Sequence, residues 1–344
     1  MRSLAIEAVV REGLIAGEGV TAIDKEKQLR INRSSSRRAT GGKPRWIRGV
    51  APAALVCCVS LAACTAAGGT SGAGSPTNAG GPLPSASPVS AAVALLPAAV
   101  RAKGTLTVAM VTNAPPGSSY APGTEDLIGL DPDIARLLAQ SLGLTLDVQV
   151  VAFDQITPGI AAGRYDVSVA EMAPTPEREK ILDFVTYAQT GDALGVQKGN
   201  PRKLSVDSMC GHTIGALVGS YQVTEVLPDL DRKCTESGRQ PIDLKLYPDQ
   251  NSPVLALASG RIDGLYEDST VVGYAAKQNP SIEVQADTGF SPIAIGIGKN
   301  SGLTDAVQAA MSQALTGPVY KAVLAKWGLE SVAVTSAKVN DNGA

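Results

Sequence analysis

Histidine is almost missing from this chain: His212 is the only one in 344 residues. That argues against a histidine-built metal site and against a Ser-His-Asp hydrolase. The phosphate-cradling pattern GxxxxGK[ST] does not occur, and no GxGxxG follows a strand, so the chain carries no nucleotide signature. Positive charge is also scarce where it would matter for nucleic acid. Residues 1–63 hold 11 Lys and Arg against 5 acids, which leaves 19 against 27 in the remainder, a net of about −8. Such a body is a poor footprint for a polyanion. Phenylalanine occurs three times. Long apolar runs are lacking too, and the run Gly49–Ala63 is too short to span a bilayer comfortably.

What is present begins with that short run. Arg37, Arg38, Lys43, Arg45 and Arg48 precede it and Cys64 ends it. A basic segment, an apolar segment and small residues at the break read as an export signal over residues 1–63. Residues 1–36 are long for the basic segment and read as an overextended start. The "LAAC" at Leu61–Cys64 looks like a bacterial lipobox, with Cys64 lipidated as the mature N-terminus. An ordinary cleaved signal or a short membrane anchor is the plainer alternative. Cys57 and Cys58 would leave with the signal, so Cys210 and Cys234 remain as an even pair in an oxidising compartment. A disulfide there would add ~3 kcal/mol in the chain-entropy model; two free buried thiols are the alternative. From residue 64 to 95 the chain is mostly small residues, Gly and Pro, and reads as a flexible tether with a reach of roughly 25–30 Å.

Beyond it, short β-rich runs alternate with helical ones, which predicts an α/β protein with mostly parallel sheets. "TLTVAMV" reads as a strand, "DPDIARLLAQSLG" as an amphipathic helix closed by Gly143, and "YDVSVA" as a strand. "ALGVQ", "TIGALV", "IDLKLY", "IDGLYE" and "IAIGIG" read as further strands, and residues 335–344 as a frayed tail. The segment "AEMAPTPEREK" (Ala170–Lys180) joins a strand end to a helix start. Thr175 suits the N-cap and Pro176 the first helical position. Arg178 is misplaced there by the helix dipole, at a cost of ~0.3–1 kcal/mol. It is either one charge on a solvated face or a group set to meet an anion.

The order of these segments resembles the family 3 extracellular solute-binding proteins of polar amino-acid ABC importers. "GTLTVAM", "DLIGLDPDIARLLAQSLGL", "FDQITPGIAAGRYDVSVAEMAPTPEREKILDF", "GALVGSY", "LASGRIDGLYEDS" and "VYKAVLAKWGL" carry the resemblance. It implies a two-lobed type II periplasmic-binding fold with two hinge crossovers. Lobe I would comprise 96–190 plus 292–334 and lobe II 191–291, with ligand in the cleft. It implies that Arg178 grips an α-carboxylate, that Gly219 and Ser220 of "VGSY" hold the same anion from lobe II, and that Asp268 takes the amine. Asp268 alternatively caps the following helix. Phe153 maps to the family's aromatic shelf, or is plain core.

Three departures stand out. Ala114 and Gly117 occupy positions where the family places an aromatic, which Tyr120 replaces only if its loop folds inward. Ala173 lacks the family's hydroxyl. Glu171 stands where relatives carry a small or hydroxyl residue. It would pair with Arg178, turn outward, or bind a cationic part of the ligand. The resemblance implies no cofactor, a separate permease and ATPase, a monomer on the outer face of the cytoplasmic membrane, and binding rather than catalysis. A dehydratase-like enzyme using Glu171 or Glu267 as general acid is the second reading. A sensor input domain would need a transmembrane helix and a signalling domain after Leu329, which the sequence does not offer.

Overall fold

Each β-rich run becomes a strand, and its neighbours in the sheet are set by the helices that return the chain between runs. The computed structural model describes residues 83–341 and 343. The export signal, Cys64 and the first part of the tether lie outside the described residues. In chain order the strands are β1 (Thr105–Met110), β2 (Ser119–Tyr120), β3 (Leu127–Ile128), β4 (Thr145–Val150), β5 (Val167–Met172), β6 (Leu182–Gln197), β7 (Thr213–Leu217), β8 (Asp243–Tyr247), β9 (Gly264–Asp268) and β10 (Ile282–Gly298). β2 and β3 pair only with each other.

The other eight form one sheet in the order β4-β1-β5-β10-β6-β9-β7-β8. β4, β1 and β5 are parallel at one end, and β9, β7 and β8 are parallel at the other. Between these trios run the two long strands, β6 and β10, antiparallel to each other. β10 joins the first trio through Ala294–Ile297 against β5, and β6 joins the second through Asp192–Val196 against β9. Their mutual register shifts between Thr288 and Ser291. Two parallel halves joined by two crossing strands make the two-lobed type II periplasmic-binding architecture. The sequence suggests only short strands at "ALGVQ" and "IAIGIG"; each is part of a longer strand, whose ladder resumes at Asp192 after the register shift at Gly191, where the Gly191 N–H donates to Ser269 Oγ.

Each half has its own core. Helices Leu130–Ser141, Thr304–Leu315 and Pro318–Trp327 cover the first, burying Ile134, Leu138, Met311 and Leu324 against Val108, Val167 and Ile295. Ile134, Leu137 and Leu138 recur at helical spacing, and Gly143 at φ +67° lets the chain turn away after this helix. In the second half, Ile214, Leu227 and Tyr266 lie on one side and Leu257, Leu265 and Val272 on the other. Cys210 and Cys234 are at bonding distance, with Cα atoms 5.5 Å apart.

Both ends of the described chain are more ordered than the sequence suggests. Residues 83–95 are not all tether, since Ser90–Leu95 is helical and Ala92 and Leu96 enter the core. Ala92 and Leu96, with Val89 packed against the same core, supply an apolar face that composition alone conceals. In the tail, Lys338 and Asn340 are held to β6. Thr186 N–H donates to Lys338 O, and Asn340 exchanges bonds with Phe184 through its own N–H and its Oδ1. Asn340→Ala should lower the melting temperature by about 2–6 °C, from roughly 1–2 kcal/mol of lost hydrogen bonding. An unchanged melting curve would show that the tail does not hold to β6.

Candidate functional site

Parallel strands place their following loops at one edge of a sheet, and ligands of open α/β folds sit in the crevice there. The segments that follow β1, β5 and β7, and the last residues of β9, meet between the two halves. They line a narrow cavity there. Phe153, Glu171, Ala173 and Arg178 line it from the first half, and Ser220, Glu267 and Asp268 from the second. A wider chamber shares its Val111, Phe153, Leu217 and Gln250 walls.

Arg178 is positioned from the backbone up. The Thr175 hydroxyl accepts the Arg178 N–H at 3.2 Å and caps a single helical turn, Pro176–Glu179. The guanidinium then lies over the Phe153 ring, 5.5 Å from its centroid. Nη1 donates to Ala173 O at 2.6 Å and Nη2 to Gly219 O at 2.7 Å. The second bond crosses from one half of the molecule to the other. Burial pushes the Arg178 pKa down to about 10, against the pull of Glu225 and Asp268. The group is not on a solvated helix face. Gly219, at φ +75°, takes a conformation open mainly to glycine and packs its Cα toward Asp154.

Ser220 accepts the Val223 N–H at 3.3 Å, so its oxygen starts the next helical turn. Asp268 ends β9 but makes no side-chain cap to the helix Ser269–Gln278. Its Oδ1 instead accepts from Gln222 Nε2 at 2.7 Å. Glu171 neither turns outward nor pairs with Arg178. It is buried at φ +46°, its N–H donates to the Tyr187 hydroxyl at 2.9 Å, and Thr270 Oγ1 approaches its Oε1 at 3.5 Å. Tyr120 does not replace the missing aromatic, being 43% exposed on β2 and absent from the cavity wall.

Residues 106–330 match the model of the bacterial extracellular solute-binding proteins, family 3. The chain belongs to that family. Among family 3 relatives, the arginine-binding protein ArgT of Corynebacterium glutamicum is 26% identical over 250 residues, covering 72% of this chain and 82% of ArgT. A solved ancestral arginine-binding protein bound to arginine is 29% identical, with a TM-score of 0.60, covering 65% of this chain and 98% of that one. An ancestral amino acid-binding protein, described as a precursor of cyclohexadienyl dehydratase, is 24% identical with a TM-score of 0.58, covering 67% and 98%. At that identity it shows the fold alone.

This family 3 cleft is acidic. Burial pushes the carboxyl pKa values up: Asp131 and Asp268 to about 7, Glu267 to about 8, and Glu171 well above the usual range. Neighbouring acids add to the burial effect, Asp268 acting on Glu267 and Asp131 on Glu171. Three participants are not legible from sequence. Asp131 looks like an exposed helix-start acid yet is 1% exposed. Tyr187, whose hydroxyl donates to Asp131 Oδ1 at 2.7 Å, sits mid-strand. Gln222 bridges Asp268 and Asp192 from a π-turn, Gln222–Val226, that precedes Pro228.

Groups with folded-state pKa values near 7–8 bind more protons in the native than in the unfolded chain at pH 4–8. Their contribution to stability is therefore full below the unfolded carboxylate pKa and is lost as pH rises through the folded values. The ligand-free melting temperature should fall by several degrees from pH 5 to pH 8.5, read by calorimetry. A rise over that range would contradict the protonated cleft.

Proposed function

We propose that the chain is the extracytoplasmic substrate-binding component of an ABC importer, and that its ligand is a zwitterionic amino acid with a cationic side chain. The observation that carries this reading is the charge balance of the cleft: one guanidinium, Arg178, among Glu171, Glu267 and Asp268. A ligand carrying one carboxylate and two cationic groups complements that set better than a neutral or acidic amino acid does. The arginine-binding relatives agree with it.

In this reading the ligand carboxylate displaces the Gly219 carbonyl from Arg178 Nη2 while Nη1 keeps Ala173 O. Arginine suits that task because its planar fork meets a carboxylate through two parallel bonds. The Ser220 hydroxyl adds to the same anion from across the cleft, Asp268 takes the α-ammonium, and Phe153 forms an apolar floor. Bodies 96–190 plus 292–334 and 191–291 turn about β6 and β10, so that ligand binding and closure are one equilibrium. The closed monomer is delivered to a permease whose ATPase is a separate chain. Cys64 anchors it by lipid to the outer face of the cytoplasmic membrane, and Cys210–Cys234 is a disulfide of the exported form. The dehydratase-like alternative has one observation in its favour, the burial of Glu171 and Glu267, which raises both carboxyl pKa values; consumption of a prephenate-like acid would select it.

Calorimetric titration with L-arginine, L-lysine, L-glutamine and L-glutamate should give the tightest binding to a basic amino acid. Arg178→Ala and Asp268→Asn should each weaken that binding by about 10–100-fold, from ~1.5–3 kcal/mol per charged hydrogen bond. Equal affinity in both variants would remove these residues from the site. Cys64→Ser should move the protein from the membrane to the soluble fraction on cell fractionation, and persistence in the membrane would refute the lipid anchor.

A further inference from the structure

Glu171 occupies a backbone position at φ +46°, where a side chain is strained and glycine is at ease. Directly opposite it stands a glycine. A Cβ on Gly117 would lie 2.1 Å from Glu171 Oε2, so any larger residue there displaces this carboxylate. The strained acid and the facing glycine fit each other, and neither is explained by core packing.

Behind Glu171 lies a second acid. Asp131 is almost fully buried and spends Oδ1 on the Tyr187 hydroxyl, while its Oδ2 is buried with no partner. Tyr187 in turn accepts the Glu171 N–H, which ties the two acids to one phenol. Around the wall, Glu267 Oε2 is also buried and bonded to nothing. Glu267 lines the cavity while Asp131 lies behind it, and an unpartnered acceptor at the wall favours a donor that arrives from outside. Among the described residues no group of three or more His, Cys, Asp or Glu is arranged to hold a metal ion.

We infer that Glu171, seated against Gly117 and backed by Asp131, reads the cationic end of the ligand side chain by exchanging a proton held by the Glu171–Asp131 pair for that cation. The inference rests on the basic amino-acid reading above. Before binding, the pair keeps a proton because two buried carboxylates together cannot both stay charged. A guanidinium or ammonium entering the niche stabilises the carboxylate, and the carboxyl proton leaves to solvent as one cation enters. A neutral side chain leaves the proton in place and gains no ion pair. The other charged or titratable groups around the pair are Tyr187 on β6, Asp268 and Glu267 on β9, Arg178 on its short helix, and Asp192, joined to Asp268 through Gln222. None of the cations among them bonds to Glu171.

The test compares L-arginine with L-citrulline, its neutral isostere, by calorimetry at pH 7 in two buffers of different ionisation heat. The wild type should release up to about one proton with arginine and none with citrulline. Glu171→Gln should lower arginine affinity by about 10–100-fold, abolish the release and bring citrulline level with arginine or ahead of it. Gly117→Ala should reproduce the arginine loss by displacing the carboxylate. A Glu171→Gln melting temperature within a few degrees of wild type shows that the variant is folded. Tight arginine binding with no proton release, or an unchanged arginine-to-citrulline ratio in Glu171→Gln, overturns the inference while the basic amino-acid reading stands. Absence of heat with arginine and lysine in both wild type and variant overturns the reading and the inference together.

Discussion

Carboxylates removed from water cannot all remain charged, and the cleft of this protein is arranged around that constraint. Asp131, Glu171 and Glu267 are buried, half-buried Asp268 lies beside them, and the guanidinium of Arg178 is held by two carbonyls and an aromatic ring. Stripping an ion of water costs several kcal/mol unless a partner or a proton compensates. Protons supply that compensation in the free protein. In the proposed reading a ligand that brings positive charge replaces them, and affinity, protonation and closure become parts of a single equilibrium.

The sheet explains why so many polar groups gather at one place. β1, β5, β7 and β9 all run so that their C-terminal ends face the boundary between halves, and the two long antiparallel strands carry that boundary. Each contributing loop is short and anchored at a strand end. Arg178 lies one turn beyond β5, Ser220 three residues beyond β7, and Asp268 closes β9 itself. Because Arg178 already bonds to Gly219 of the other half, the same donor that would grip a ligand also holds the halves together. Exchange of one acceptor for another is a small change in bond count with a large geometric consequence.

Much of this was legible in the residues. Alternating strand and helix patterns give the parallel trios, and the order of segments implies the two-lobed fold. Thr175-Pro176 predicts the turn that carries Arg178, and the structure brings Arg178, Phe153, Ser220 and Asp268 to one cavity. What escaped has physical causes. β6 and β10 run longer than "ALGVQ" and "IAIGIG" suggest because their pairing resumes on both sides of the register shift at Gly191. Residues 90–95 and 337–340 pack because their few apolar or amide groups find partners that composition cannot indicate. Asp131 and Tyr187 are separated by 56 residues, and no local pattern announces that a helix-start acid will be buried beneath a distant glutamate. Glu171 was visible as a departure from the family, but its outcome depended on Gly117, a contact that spacing alone does not reveal.

A crystal structure with L-arginine bound tests the account most directly. The ligand carboxylate should lie on Arg178 with the Gly219 carbonyl released, its α-ammonium on Asp268, and its guanidinium within hydrogen-bonding distance of Glu171. A ligand bound in the reverse sense, or held with Glu171 still facing Asp131 and untouched, would contradict it.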